Sequence, residues 1–476
     1  MSDELRNFLA LSYEELEELN LKAKEQRQKR APIHKVQEER LKYLNDEKRI
    51  KAVTVLFTDL EGRLHMLDYD KKFLIKSFDN LTFDGSSIRG FTAQRESDLR
   101  LTMDWGAFYW APADVFGNGK VLVFGHVIDK DGTPYGADVR GVLKGFADSL
   151  FKDEGYTLNA ANEIEGFLFK GPDAERRYHE TAKFEYVNTG GYYHSLPGDP
   201  LRTFIDTTAE VQRAMGFQNE KDHPEVAPSQ FEINYSYGEV VIAADQIQLY
   251  KLVCRQVATK MGLTASFLPK PVVGVNGSGM HTNISISKGG NNLFWDPKGE
   301  EKLSKFGWQF VDRILTHGND ICLVANSSVN SYRRLDPHFE APNQLKASAV
   351  DRGAMIRIPI GNERSMRVEF RSVAPDANPY MVMYTLFRTG LEGETAKIKN
   401  LRQAERYLPD NIYTAIDNFR KSQWMTKLFG EDVKQRYVDL KLASADRCSR
   451  QLGTFVKAPE VQYHHEVYNQ FLWNLF

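Results

Sequence analysis

The chain has 476 residues, 42% of them hydrophobic, more than one core usually serves, so two domains are expected, one of them large. Its 62 basic and 64 acidic residues leave a formal charge of -2, which gives no support to a nucleic-acid or membrane-surface partner recruited by net charge. No run is apolar for long enough to span a bilayer, the start MSDELRNFLA lacks the order of a secretory signal, and the three scattered cysteines Cys254, Cys322 and Cys448 argue against a disulfide framework, so a cytoplasmic address is expected.

Residues from about 11 to 50 are dense in Glu, Lys, Arg and Gln, and Leu11, Tyr13, Leu16, Leu19 and Leu21 recur at roughly helical intervals, which predicts a charged helical extension over 1–50. A small domain over 51–133 follows. KAVTVLFTDLEG alternates β-branched and apolar residues before a turn, GRLHMLDY resumes extended character as the second arm of a hairpin, and KVLVFGHVID (120–129) is another strand. After the turn-rich KDGTPYG, the helical period of VRGVLKGFADSLFKDEG opens a larger domain, 134–476. Within it NEIEGFLF, PSQFEINY, MHTNISIS, MIRIPIG and MRVEFRS read as strands of one antiparallel sheet. DQIQLYKLVCRQVATKMG and EKLSKFGWQFVDRILTHG read as helices between them, and the chain ends on the apolar QFLWNLF. The predicted class is α+β, with the large sheet flanked by helices.

Acidic residues fall on these predicted strands in a pattern that bears on function. Glu163 and Glu165 are two apart, so both point to one face while Ile164 points to the other. Paired carboxylates of this kind are commonly a solvated face, but burying them costs several kcal/mol per ion (on the order of the effective desolvation penalty) unless a cation compensates. HPEVAPSQFEI adds Glu225 and Glu232, MRVEFR adds Glu369, and NGSGMHTNIS adds His281. Oxygen donors suit magnesium or manganese, and one imidazole among them remains compatible with manganese. Spacing alone does not make these groups converge.

FDGSSI (83–88), NEIEGFLF, HPEVAPSQFEI, LPKPVVGVNGSGMH, NSYRRLDPHFEAP, RGAMIRIP, RVEFR and DANPY stand in the order and near the spacing found in the glutamine synthetases of bacteria and archaea. The chain resembles that family from about residue 50 to its C-terminus. The resemblance implies a small N-terminal β-grasp domain, a large catalytic domain, and ligation of ammonium to glutamate through γ-glutamyl phosphate at the expense of ATP. It implies two or more Mg2+ or Mn2+ ions, one held by Glu165, Glu225 and Glu232 and another by Glu163, His281 and Glu369. Asn276, Gly277, His281, Arg334 and Arg371 are then expected at glutamate, and Glu220, Tyr237, Asn283, Ser285, Arg352, Arg357, Arg364 and Arg367 at ATP. Guanidinium groups suit these places because they bind carboxylate and phosphate bidentately. Asp84, Ser87, Tyr192, Glu225 and Glu340 would receive ammonium, with Asp84, Glu340 and Arg352 catalytic and Glu340 on a closing flap. Asp84 and Asp98 would act in a neighbouring subunit's site, within a homododecamer of two stacked hexameric rings that QFLWNLF would help to join.

Several positions depart from the common pattern of the family. Pro224 replaces a histidine, Ser229 a glycine and Asn283 a histidine, NSSVNSY lacks the usual proline, and SVAPDANPY carries its Asp displaced. NLRQAERYLP replaces the loop that in some bacterial members is adenylylated, so no adenylylation is expected there despite Tyr407. Two other readings share the motifs: a γ-glutamyl ligase using a small organic amine, and an inactive relative with a structural or regulatory role. Retention of all six metal-ligand candidates opposes the second.

Overall fold

The computed structural model describes residues 9–92, 98–181, 183–194, 196–336 and 341–451, the side chains of 179–181 and 447–451 excepted. Glu340, the Cys448 side chain and the QFLWNLF tail therefore lie outside the described residues.

Two helices come first, α1 (Tyr13–Gln28) and α2 (Ile33–Asp46). A reciprocal cap starts α1: the Ser12 hydroxyl accepts from the Glu15 N–H at 3.2 Å and the Glu15 carboxylate accepts from the Ser12 N–H at 3.0 Å. Its buried face is Leu16, Asn20 and Ala23, while Leu19 and Leu21 are only partly covered. The leucine periodicity thus located the helix but missed that a polar residue, Asn20, is central to its packing.

The small sheet has five strands in the order β2-β1-β5-β4-β3. They are β1 (Ala52–Thr58), β2 (Leu64–Asp70), β3 (Leu81–Asp84), β4 (Asp98–Trp110) and β5 (Lys120–Ile128). β1 and β2 form the expected hairpin, and β1 runs parallel to β5 at the centre of the sheet. Parallel neighbours need a crossover, which the intervening chain supplies. β1 is buried over Val53–Thr58, whereas β2 alternates toward solvent as the edge strand.

Helix α3 (Val139–Glu154) ends on Gly155 at φ 71°, the left-handed conformation a helix C-terminus favours. It leads into the second sheet, which has ten strands among the described residues. Its main path uses β6 (Tyr156–Lys170), β7 (Asn219–Pro224), β8 (Gln230–Tyr235), β9 (Met280–Lys288), β10 (Gln344–Ser348), β11 (Ala354–Arg357) and β12 (Val368–Phe370). Their order is β10-β11-β12-β9-β6-β8-β7, with three further strands paired off that path. The expectation of an antiparallel sheet needs one correction, because β10 and β11 run parallel. Only residues 349–353 join them. Helix α4 (Val240–Lys260) is buried along most of its length beneath the sheet, with α6 (Pro379–Glu392) packed beside it and α5 (Lys305–Thr316) packed on α6. The EKL of the second predicted helix is not part of α5, which starts after the Ser304 cap. Side chains of both sheets and these helices join one hydrophobic core, so the small sheet is packed onto the large unit.

Candidate active site

Strand register assembles the site. His281 lies opposite Glu163, Asn283 opposite Glu369, Glu369 opposite Arg357, and Glu232 opposite both Glu165 and His223. Opposed residues on one face sit about 4.5–5.5 Å apart at Cβ, so segments distant in sequence become neighbours. Two groups of three potential ligands result, each with its ligand atoms within 4.8 Å of one another: Glu163, His281 and Glu369, and His223, Glu225 and Glu232.

In the first group His281 Nδ1 stands 3.5 Å from Glu163 Oε2 and 3.6 Å from Glu369 Oε1. Arg357 donates to Glu369 Oε2 at 3.0 Å, and Arg371 Nε is 3.2 Å from Oε1. Asn283 bridges, donating to Glu163 Oε1 at 3.1 Å and accepting from Arg367 Nε at 2.9 Å. Burial alone would raise the Glu163 carboxyl, but His281, the Asn283 amide and Arg367 outweigh it and hold it below the usual carboxylate range. The His281 imidazole, which burial disfavours as a cation, is raised by Glu163, Glu165 and Glu369.

The second group differs from the expected Glu165, Glu225 and Glu232 in including His223. Its Nδ1 lies 3.1 Å from the Pro224 carbonyl oxygen and 3.6 Å from Glu225 Oε1, and its Nε2 lies 3.5 Å from Glu232 Oε1. That Nε2 is buried without a hydrogen-bond partner. Tyr192 and Tyr193 meet the imidazole edge-on, with ring centroids 5.4 and 4.7 Å away. Glu165 stands beside the group and accepts from the Gly279 N–H at 2.8 Å. Burial, reinforced by Glu165 and Glu232, raises the Glu225 carboxyl, and burial does the same to Glu165, with Glu232 adding to it. These carboxylates are crowded beyond what the neighbouring cations offset, and the oxygen-rich donor set with one buried imidazole fits a divalent cation.

Residues expected at glutamate cluster against this floor. Arg334 is buried and donates to the Arg371 carbonyl at 3.0 Å, while its Nη1 has no hydrogen-bond partner. The NGSG run must be slim to let it approach: a Cβ on Gly277 would lie 2.5 Å from the Pro269 carbonyl, and one on Gly279 would lie 2.6 Å from Arg334 Nη2 and 2.8 Å from His281 Nε2. Gln230, which the sequence reading did not single out, donates to Gly277 O and Ser278 Oγ, each at 3.1 Å, and tethers this loop to β8. Asn276 is half-buried on the same loop.

A cavity of about 1070 Å³ adjoins the first group, with Glu163, Glu220, Tyr237, Asn283, Ser285, Arg364 and Arg367 on its walls. These include six of the eight residues expected at ATP. Arg352 and Arg357 are exposed and are not on its walls; the Arg352 carbonyl accepts from Arg371.

Asp84 and Ser87 are not brought to the carboxylate floor by the contacts of the described residues. They sit exposed at the end of β3, with Asp84 opposite Asp98. The Asp84 carboxylate accepts from the Ser86 N–H at 2.9 Å, the Ser86 hydroxyl at 2.6 Å and the Ser87 hydroxyl at 3.1 Å, and these bonds lower its pKa.

Three departures from the family pattern have local reasons. Ser229 adopts φ 61°, a glycine-like conformation, and its hydroxyl accepts from the Val187 and Asn188 N–H groups at 2.7 and 3.2 Å. Ser328 of NSSVNSY and the displaced Asp376 meet each other at 2.5 Å, so two departures form one hydrogen-bonded pair.

Family profiles for the glutamine synthetase β-grasp domain and the glutamine synthetase catalytic domain match residues 49–130 and 136–455. A glutamine synthetase of Clostridium saccharobutylicum is 37% identical over 421 residues, spanning 84% of this chain and 93% of that protein. The chain belongs to the glutamine synthetase family. One of Methanosarcina mazei is 37% identical over 419 residues, covering 83% and 91%, and one of Staphylococcus aureus is 36% identical, covering 83% and 92%. In fold, the glutamine synthetase of Plasmodium falciparum seen by electron cryo-microscopy superposes with a TM-score of 0.78 over 88% of this chain and 97% of that one, at 21% identity. The activity is that of a glutamate–ammonia ligase, making glutamine with ATP and a divalent metal, and these relatives do not favour the organic-amine or inactive readings. No helix of the described residues is long and apolar enough to cross a membrane.

Proposed function

We propose a division of labour among the residues above. Glu163, His281 and Glu369 hold one divalent cation, and Glu225 and Glu232, with Glu165 beside them, hold another; magnesium or manganese there neutralises phosphate charge during phosphoryl transfer. The observation that carries this reading is the coincidence of two buried carboxylate–imidazole groups with an arginine-walled cavity on the same sheet face.

Arg334 and Arg371, with Asn276 and Gly277, bind glutamate; the unpaired Arg334 Nη1 supports this, since it leaves a buried donor for a substrate carboxylate. Glu220, Tyr237, Asn283, Ser285, Arg357, Arg364 and Arg367 receive the nucleotide, and Arg352 meets the transferred phosphoryl group. Asp84, Ser87, Tyr192, Glu225 and Glu340 capture ammonium, and a carboxylate among them takes its proton before the amine attacks γ-glutamyl phosphate. Closure of the segment carrying Glu340 excludes water from that intermediate. The exposure of Asp84, Ser87 and Asp98 supports their service to a neighbouring subunit's site, in a dodecamer of two stacked rings. The division into 1–50, 51–133 and 134–476 and a cytoplasmic location complete the reading.

Two substitutions test it. Glu369→Gln lowers metal affinity and activity by about a hundredfold or more, the upper range for disturbing a metal site's ligand shell. Asp84→Asn raises the ammonium KM by about ten- to a hundredfold, the size of a hydrogen bond to a charged group, and leaves glutamate-dependent phosphoryl transfer near normal. Equal loss of phosphoryl transfer in both variants would remove the division.

A further inference from the structure

Helix α1 precedes the part of the chain that the family profiles match, which begins at residue 49. Its charged sequence reads as a solvated extension, yet three of its polar side chains are committed to the body of the enzyme. Asn20 is buried and uses both ends of its amide: its Nδ2 donates to the Trp110 and Ala214 carbonyls at 2.9 and 2.8 Å, and its Oδ1 accepts from the Trp110 N–H at 2.9 Å. It thereby ties the last residue of β4 to the last residue of the helix Pro200–Ala214, which leads through a turn into β7. Arg27 reaches Asp245 of α4 at 2.8 Å. The fit at the turn is close, since Gly216 has φ 77° and a Cβ there would lie 2.9 Å from Asn20 Cβ.

Lys24 lies one helical turn from Asn20 and donates to the Gly216 carbonyl at 3.4 Å and to Gln218 Oε1 at 3.2 Å. Gln218 in turn fastens the open end of the β7–β8 hairpin. Its carbonyl accepts from the Ser236 N–H at 2.8 Å, and its Oε1 accepts from the Ser236 hydroxyl at 3.3 Å. Two residues beyond Gln218 stands Glu220, and next to Ser236 stands Tyr237; both line the large cavity, as do Lys221, Asn234 and Tyr235 of the same hairpin. Tyr237 is 61% exposed, so little of its own packing fixes it.

We propose that helix α1 positions the hairpin wall of the nucleotide site, with Lys24 as the positioning residue that holds Gln218 and, through it, Ser236. The inference rests on the reading of that cavity as the ATP site. It gives the helices before residue 49 a role in substrate affinity, distinct from a role in folding alone.

The test uses the full-length enzyme and measures ADP binding by calorimetry in the presence of magnesium, alongside steady-state KM values for ATP and glutamate. Lys24→Met is expected to weaken ADP binding and raise the ATP KM about three- to tenfold, the net worth of one hydrogen bond, without moving kcat or the glutamate KM. Lys24→Arg restores most of the loss. Gln218→Ala removes the same contact from the other side together with the Ser236 hydroxyl bond, so adding Lys24→Met to it produces little further loss. Lys22→Met, an exposed change on the same helix, leaves all values at wild type. Tyr237→Ala separates the two claims. If Tyr237→Ala weakens ADP binding while Lys24→Met and Gln218→Ala do not, the positioning role is wrong and the nucleotide site stands. If none of the three alters ADP binding, the cavity is not the nucleotide site and both readings fall. A parallel change in every kinetic constant for Lys24→Met, with a fall in thermal stability, would reduce α1 to a structural brace and overturn the proposal.

Discussion

Two buried collections of charge in this enzyme are built differently. Where α1, β4, α3, α4 and α6 meet, Arg27 and Arg140 face Asp104 and Asp245. Arg140 bonds both oxygens of Asp245 at 2.7 Å and Asp104 at 2.9 Å, and the Tyr380 hydroxyl adds a bond to Asp245 at 2.7 Å. Against the cost of burial, the arginines lower Asp104 and Asp245, and the aspartates raise Arg27 and Arg140. Two cations meet two anions. On the large sheet, by contrast, Glu165, Glu225 and Glu232 crowd together, and burial and mutual repulsion raise Glu165 and Glu225. The first array is complete within the chain and serves to hold elements together; the second is short of positive charge, which is the condition for taking up a metal.

The largest effect should come from unbalancing the complete array. Arg140→Met leaves Arg27 alone against two buried aspartates and should cost about 3–5 kcal/mol of stability, read by chemical or thermal unfolding, whether or not metal is present. A loss confined to the metal-free enzyme would erase the contrast. The opposite manoeuvre is Glu225→Gln, which relieves repulsion. Because the folded Glu225 carboxyl is raised above its unfolded value, the metal-free protein binds more protons folded than unfolded, and its stability falls as pH climbs above about 4.3. The substitution should flatten that fall and abolish the part of the manganese stabilisation that the second site confers on the wild type. A pH slope unchanged by Glu225→Gln would show that the carboxylates are not short of charge.

The last effect, confined to one pH interval, concerns Lys251, buried and bonded to the Pro375 carbonyl, with Asp376 as its anionic neighbour. Burial, then Arg255, lowers its amine to about 7 against the opposing pull of Asp376. An unfolded lysine titrates near 10.4, so between about pH 7 and 10 the unfolded chain holds the extra proton and the penalty shrinks as pH rises. Wild type should therefore gain stability on Lys251→Met across that interval, with the difference constant below pH 7.

Much of the site was legible because its chemistry follows local alternation. Glu163 and Glu165 flank Ile164, which is fully buried, and the FDGSSI turn shows the aspartate bonding its own serines. What escaped was whatever depends on register between distant strands. His223 stood within a recognised motif, but only the pairing of β7 with β8 sets it opposite Glu232, and a histidine before a proline gives no sign of that. Gln230 was hidden in the same way, since its partners Gly277 and Ser278 are over forty residues away. On α1 the charge pattern concealed Asn20 and Arg27, because a helix dense in Glu and Lys reads as solvated whichever of its polar groups turn inward. The parallel pairing of β10 with β11 likewise left no mark on the alternation of either strand.

Manganese titration of metal-stripped enzyme, followed by electron paramagnetic resonance, tests most directly whether the crowded carboxylates are cation sites. Wild type should bind two ions per chain saturably in the absence of nucleotide, with one lost in Glu369→Gln and the other in Glu232→Gln, while Arg140→Lys retains both. Binding that never saturates, or a stoichiometry indifferent to both glutamate substitutions, would contradict that assignment.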